Sequence, residues 1–88
     1  MVEFLSEPAM VETQPRREGP PRPVAFVWRG LRYVVASWGR EGEETYDDDA
    51  FYCFLVQTEG PETWQLCRHE ADGAWIVRRR WPRGPQAV

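Results

Sequence analysis

Residues 23–35 alternate apolar and aromatic side chains on both sides of one glycine, and this pattern constrains the fold more than any other feature. Phe26 and Trp28 fall on one face of an extended segment before Gly30, and Tyr33 and Val35 fall on one face of the segment after it. Period-two alternation interrupted by a glycine turn is typical of a β-hairpin with one buried side. The pattern therefore predicts an all-β fold and carries no information about chemistry.

Three later segments, at 51–58, 63–69 and 74–81, show similar strand signals, and the Asp72-Gly73 pair between the last two is a strong hairpin turn. Residues 8–13 are the candidate for a sixth strand, and no segment has a useful helical period. A small meander usually curls up to hide its edge strands. We therefore predict an antiparallel meander of five or six strands, curled into an SH3-like, partly open barrel.

The chain of 88 residues has room for one domain, and its twelve aromatic residues supply the buried area that so small a core needs. We assign the domain to residues 1–81. Within it, residues 15–23 form a connector rich in Pro and Arg, and residues 38–49 form an acidic loop. Residues 82–88 are expected to form a flexible C-terminal tail.

Strand alternation divides the apolar residues between an inner and an outer face. The inner set comprises Val24, Phe26, Trp28, Tyr33, Val35, Phe54, Val56, Trp64, Leu66, Trp75 and Val77. The outer set includes Val27, Val34, Phe51, Leu55 and Ile76, where a lone domain would carry polar residues. An exposed apolar patch of this kind marks an interaction surface. The alternative is that the N-terminal segment or residues 38–49 cover it.

A basic run near the C-terminus suggests a second kind of surface. It contains Arg78, Arg79, Arg80 and Arg83, with Trp81 among them. Arginines can grip phosphates while an aromatic ring stacks on a base, as in barrels that bind single strands. The net charge of −3 argues against a nucleic-acid partner, and a solvated strand end is the simpler explanation.

Cys53, Cys67 and the single histidine, His69, are predicted to share one face, with the two cysteines opposite each other on paired strands. A metal site would need a fourth ligand that is not nearby, and a disulfide would need an oxidising compartment. Two small packed side chains are the third alternative. We predict no metal, no cofactor and no enzymatic activity. The N-terminus lacks the features of a secretion signal and no apolar run is long enough to span a membrane, so we expect a cytoplasmic protein without a membrane partner.

The chain resembles a family of small bacterial proteins of unknown function with an R-P-V-x-F-x-W-R-G-x-x-Y-x-V core. The residues that carry the resemblance are Phe4, Glu7, Pro8, Arg22, Pro23, Val24, Phe26, Trp28, Arg29, Gly30, Tyr33, Val35 and Trp38, followed more weakly by Val56, Thr58, Trp64, Leu66, Gly73 and Trp75. The family tends to have Arg or Glu at the positions of Val27, Val34, Leu55 and Cys67. Some of its members are encoded beside damage-tolerance DNA polymerase components, and the resemblance supplies no catalytic residues.

Two functions follow as predictions. The first is a non-enzymatic protein-interaction module, whose partner is an unidentified protein or a second copy in a homodimer. The alternative is a barrel that binds single-stranded nucleic acid and is linked to DNA damage tolerance.

Overall fold

The computed structural model describes residues 1–82, which form six antiparallel strands paired in chain order into a closed barrel. The strands are β1 (Glu3–Gln14), β2 (Arg22–Trp28), β3 (Leu31–Tyr46), β4 (Asp49–Thr58), β5 (Thr63–His69) and β6 (Trp75–Trp81). The predicted all-β antiparallel meander is confirmed, but the sheet closes fully, where we expected a partly open barrel. Among residues 1–82 there is no helix that could span a membrane.

Two long, bent strands close the barrel. The first part of β1 pairs with β6 and its last part pairs with β2. Likewise β3 pairs with β2 over residues 31–34 and with β4 from Val35 to Tyr46. The barrel therefore has a small sheet of β1, β2 and β3, and a large sheet of β1, β6, β5, β4 and β3. In β3 a register shift between Val35 and Ser37 lies where the strand passes from one sheet into the other, and β1 has a register shift on either side of its crossing between Ala9 and Met10.

The prediction of an acidic loop at 38–49 is wrong. Residues 38–46 continue β3, and only Asp47 and Asp48 form the turn, with φ angles of 52° and 67°. Aspartate tolerates this left-handed conformation better than most residues do. The acidic side chains do not prevent pairing because the main chain of β3 is hydrogen-bonded along the apolar strand β4. Residues 8–13 also belong to a strand, since they lie within β1.

The predicted interior is largely confirmed. Of the eleven residues assigned inward, only Val24 is missing from the core, because it has no partner at the register shift where β1 meets β2. Trp64 is fully buried at the centre, with ring centroids 5.0 Å from Phe26, 5.3 Å from Trp28 and 4.7 Å from Tyr33. The contacts with Phe26 and Trp28 are edge-on and that with Tyr33 is tilted, and aromatic pairs of this kind stabilise a small core beyond its buried area.

Candidate binding site on the outer face of the large sheet

The chain itself covers part of the outer face of the small sheet, whereas Met10, opposite Val27 on β1, is 77% exposed. Glu12 on β1 and Arg32 on β3 form a bidentate ion pair with two contacts of 3.1 Å. Because β2 lies between these strands, the pair crosses its outer face, where Ala25 is only 2% exposed. The long side-chain stems shield the apolar surface beneath them. Val27 and Val34, which we predicted in an interaction surface, are consequently half-buried.

The other three predicted surface residues lie on the large sheet, away from Val27 and Val34. Phe51 packs with the two cysteines in a second apolar cluster, and it is buried beneath Tyr46 at a ring distance of 5.7 Å. Ile76 packs against the same cluster and is half-buried, as is Leu55. Side chains from β1 and from residues 38–49 thus cover part of the apolar outer face, which is the alternative to an exposed patch that the sequence left open. The five predicted surface residues do not form one continuous exposed patch.

The arginine run points in different directions. Arg78 stacks on the ring of Tyr46 at 4.1 Å, and Arg79 donates from Nε to Gln65 Oε1 at 2.7 Å. Arg80 turns inward over Trp64 and pairs with Glu3 and Glu62 at 3.2 and 3.3 Å. Arg83 lies outside the described residues. The structure therefore brings Arg79 and Trp81 to one cavity but does not form the predicted strip.

The predicted register of the cysteines is confirmed, since Cys53 lies opposite Cys67 on β4 and β5. The two are joined by a disulfide bond that closes the sequence separation of 14 residues. This is one of the three alternatives that the sequence left open, and it means that neither sulfur is a free thiolate. His69 lies instead between two carboxylates, 3.6 Å from Asp49 and 3.2 Å from Asp72.

A cavity of about 460 Å³ opens on the outer face of the large sheet. Its volume is in the range typical of ligand pockets. Four strands contribute to its lining, which comprises Arg40, Glu41, Gly42, Glu43, Glu44, Cys53, Phe54, Leu55, Gln65, Arg79 and Trp81. β3 and β4 each contribute consecutive residues to the lining, although the side chains of consecutive strand residues point to opposite faces. Some of these residues therefore line the cavity with main-chain atoms.

Gly42 creates the hollow. It lies opposite Cys53 on the outward-facing side of β3, and a Cβ built on it would meet no other atom within 4 Å. Unlike Gly30 and Gly73, it does not have a positive φ, so the backbone does not require glycine there. Glycine weakens the interior of a strand and often marks a place where a ligand or another chain approaches closely.

A polar chain runs along one side of the cavity. Gln65 is only 6% exposed; its amide donates to Glu44 Oε2 at 3.2 Å and accepts from Arg79. The Tyr46 hydroxyl donates to the other oxygen of Glu44. Burial, followed by the nearby Glu44 carboxylate, raises the pKa of Tyr46, so the phenol stays protonated and remains a donor. The chain thereby holds the Arg79 side chain in position.

The carboxylate of Glu41 binds Arg16 and Tyr52 and does not take part in the polar chain beside the cavity. Glu41 lies opposite the core residue Phe54, and it accepts two hydrogen bonds from Arg16 and one of 2.8 Å from the Tyr52 hydroxyl. The hydrogen bond from Arg16 is the main reason that the pKa of Glu41 is lowered below its ordinary value. Glu41 therefore stays ionised and fastens the connector after β1 to β3.

A smaller hollow of about 150 Å³ adjoins this cavity, and Leu55 lines both. Its lining includes Ser37, Gln57 and Thr63. Thr63 is 2% exposed, and its hydroxyl oxygen has no hydrogen-bond partner among the residues described. A buried hydroxyl left without a partner costs free energy.

Sequence reasoning missed Gly42 because it assigned residues 38–49 to a loop, where glycine is unremarkable. The available signal was the alternation of Gly42, Glu44 and Tyr46 opposite the strong strand β4.

The chain matches no protein-family model, no curated protein and no solved structure.

Proposed function

We propose that this protein is a non-enzymatic protein-interaction module that accepts a side chain of a partner protein in the cavity above Gly42, here called the Gly42 cavity. The observation that carries the proposal is Gly42 itself, a mid-strand glycine without a conformational requirement, placed beneath an open space. Since such a glycine reduces strand stability, its presence is best explained by a group that occupies the space.

The lining of the cavity suits binding better than catalysis. Its described residues include no serine or histidine, and its cysteine is held in the disulfide. Leu55 and Trp81 provide apolar surface, whereas Gln65 and Arg79 provide fixed polar groups. This combination of apolar walls and a few oriented polar groups is typical of recognition sites.

A foreign partner fits better than a second copy. The prediction of self-association rests on apolar outward residues, of which Val27 and Val34 are half-buried, so that Met10 opposite Val27 is the main exposed apolar side chain at this place. Light scattering after size exclusion at low micromolar concentration tests this point, and we expect a monomer. A stable dimer that Val34→Glu disrupts would favour the homodimer.

Selection from a displayed peptide library tests the interaction function. We expect the wild type to enrich a peptide family that does not bind Gly42→Trp, since the indole would fill the cavity. Thr45→Trp is the matched control, because Thr45 is exposed on the same strand outside the cavity. Failure to enrich any family, or equal binding to wild type and Gly42→Trp, would refute the proposal.

Nucleic acid is the second candidate partner, and the observation in its favour is that Arg79 and Trp81 line the same cavity. A fluorescence titration with single-stranded DNA and RNA at low and high salt distinguishes the two. Binding by this mode would weaken steeply as salt is added.

A further inference from the structure

We infer that the group bound in the Gly42 cavity is a carboxylate, that it belongs to a partner segment with an adjacent apolar side chain, and that Arg40 and Arg79 hold it. This inference rests on the proposed function and specifies the chemistry of the partner.

The first observation is the state of the two arginines. Within residues 1–82, Arg16, Arg29, Arg32 and Arg80 pair with glutamates, whereas Arg40 and Arg79 have no carboxylate at ion-pairing distance. Four other arginines of this range, Arg17, Arg22, Arg68 and Arg78, are also without one, but they do not line the cavity. Gln65 accepts a hydrogen bond from the Nε of Arg79, which fixes the plane of the guanidinium close to the Tyr46 hydroxyl, and no terminal nitrogen of Arg79 is paired with a carboxylate of residues 1–82. A planar guanidinium held in this way is suited to a carboxylate, to which it can donate two parallel hydrogen bonds.

The second observation is that the glutamates lining the cavity are already engaged or point away from it. Glu41 and Glu43 lie opposite the inward-facing Phe54 and Tyr52, so their side chains lie on the inner side of β3. Glu44 is on the cavity side, and both its oxygens accept hydrogen bonds from Tyr46 and Gln65. A cationic occupant would therefore share Glu44 with two existing donors, whereas an anionic occupant would meet two guanidinium groups that have no carboxylate partner within residues 1–82.

The third observation concerns the class of macromolecule. Leu55 and Trp81 provide apolar surface beside the two arginines. A peptide with an acidic residue next to an apolar one could place one side chain on each part of the lining. A nucleic acid would need a track of positive charge, but β3 runs from the cavity to the turn at Asp47 and Asp48, and Asp49 follows at the start of β4. Arg78 stacks on the ring of Tyr46, and Arg80 forms ion pairs with two glutamates, so neither extends the positive charge of the cavity. These features repel a polyanion while leaving a local site for one carboxylate.

Two synthetic peptides that differ by one group test the inference. The probes are the capped tetrapeptide amide Gly-Glu-Phe-Gly and its counterpart with Gln in place of Glu, titrated into 15N-labelled protein. We expect the Glu peptide to bind about tenfold more tightly and to shift the Arg79 and Trp81 side-chain signals, because a charge-assisted pair is stronger than a neutral one. This preference should shrink as salt is added.

Matched variants locate the preference. Arg79→Gln should reduce the ratio between the two peptides to near one, and Arg40→Gln should reduce it partly. Arg17→Gln, at an exposed position on the connector, should leave it unchanged. Loss of the ratio without loss of the fold, confirmed by an unchanged amide spectrum, separates ligand recognition from a structural role.

The outcomes distinguish the inference from the function on which it rests. Equal binding of both peptides to the wild type, with loss of both in Gly42→Trp, overturns the carboxylate and leaves the interaction module standing. An absence of shifts at Arg79 and Trp81 also overturns it, and the library selection then decides the module separately. Tighter, Arg79-dependent binding of an oligothymidylate overturns it in favour of nucleic acid.

Discussion

The two faces of the large sheet are built from the same strands but are completed in different ways. On the inner face, Trp64 and its aromatic neighbours fill the barrel. The alternation of the sequence alone predicts that these side chains point inward. On the outer face, Phe51 and the disulfide form a smaller apolar cluster, which Tyr46 partly covers. Beside that cluster, at Gly42, no side chain of β3 covers the sheet, and the cavity lies there. The difference indicates that side chains fill the inner face, whereas the outer face retains hollows, including the Gly42 cavity and the smaller one beside Leu55.

The largest effect should come from the inner face. Trp64→Ala removes a fully buried ring from the core, and such truncations cost about 3–5 kcal/mol. Leu55→Ala, on the outer face beside the cavity, should cost only about 1 kcal/mol because the side chain is half-buried. Urea unfolding measures both, and Trp64→Phe provides a milder variant if Trp64→Ala does not fold. Equal losses at the two positions would contradict the contrast between the faces.

The disulfide should be the main covalent support of the outer face. It closes a sequence separation of 14 residues, and loops of that size are stabilised by about 3 kcal/mol. Unfolding with and without a thiol reductant should reveal a loss near this value, while Cys53→Ala with Cys67→Ala should be insensitive to reductant. An oxidised wild type no more stable than the reduced form would show that packing alone supports this face.

The inner face was predictable from the sequence because alternation depends on neighbouring residues only. The same local pattern, with the tight turn after Thr58, placed Cys53 opposite Cys67 correctly. The course of β3 was not predictable, because its charge suggested a loop and the partner of Glu41 is Arg16, 25 positions earlier in the chain. The cover of Val34 and Ala25 by Glu12 and Arg32 likewise depends on contacts between strands that a linear pattern does not contain.

Glu41 and Glu70 should make opposite contributions to the pH dependence of the free energy of unfolding. Arg16 lowers the pKa of Glu41 in the folded protein, so the stabilisation is present above the ordinary value of 4.5 and is lost as the pH falls through the folded value. Partial desolvation, and then the neighbouring Glu43 carboxylate, raises the pKa of the exposed Glu70. Ionised Glu70 therefore destabilises the fold above its folded pKa, and this cost disappears in acid.

Melting curves from acid to neutral pH test these signs. Glu41→Gln should lower the Tm at neutral pH and reduce the loss of stability on acidification. Glu70→Gln should raise the Tm slightly at neutral pH and converge with the wild type in acid. Shifts of the same sign in both variants at neutral pH would contradict the assignment.

The smallest effect, and the one most specific to the outer face, should come from Gly42→Ala. The backbone at Gly42 is not in the left-handed region and the added methyl group meets no atom within 4 Å. The variant should therefore be more stable than the wild type by about 0.5 kcal/mol, because the unfolded chain loses freedom. Gly30→Ala, at a φ of 79°, should be destabilising and serves as the control. If Gly42→Ala gains stability and loses affinity for the selected peptides, then glycine is present at this position for the occupant. A gain in stability with unchanged affinity would mean that the hollow has no ligand, and the outer face would then differ from the inner one only in how completely it is packed.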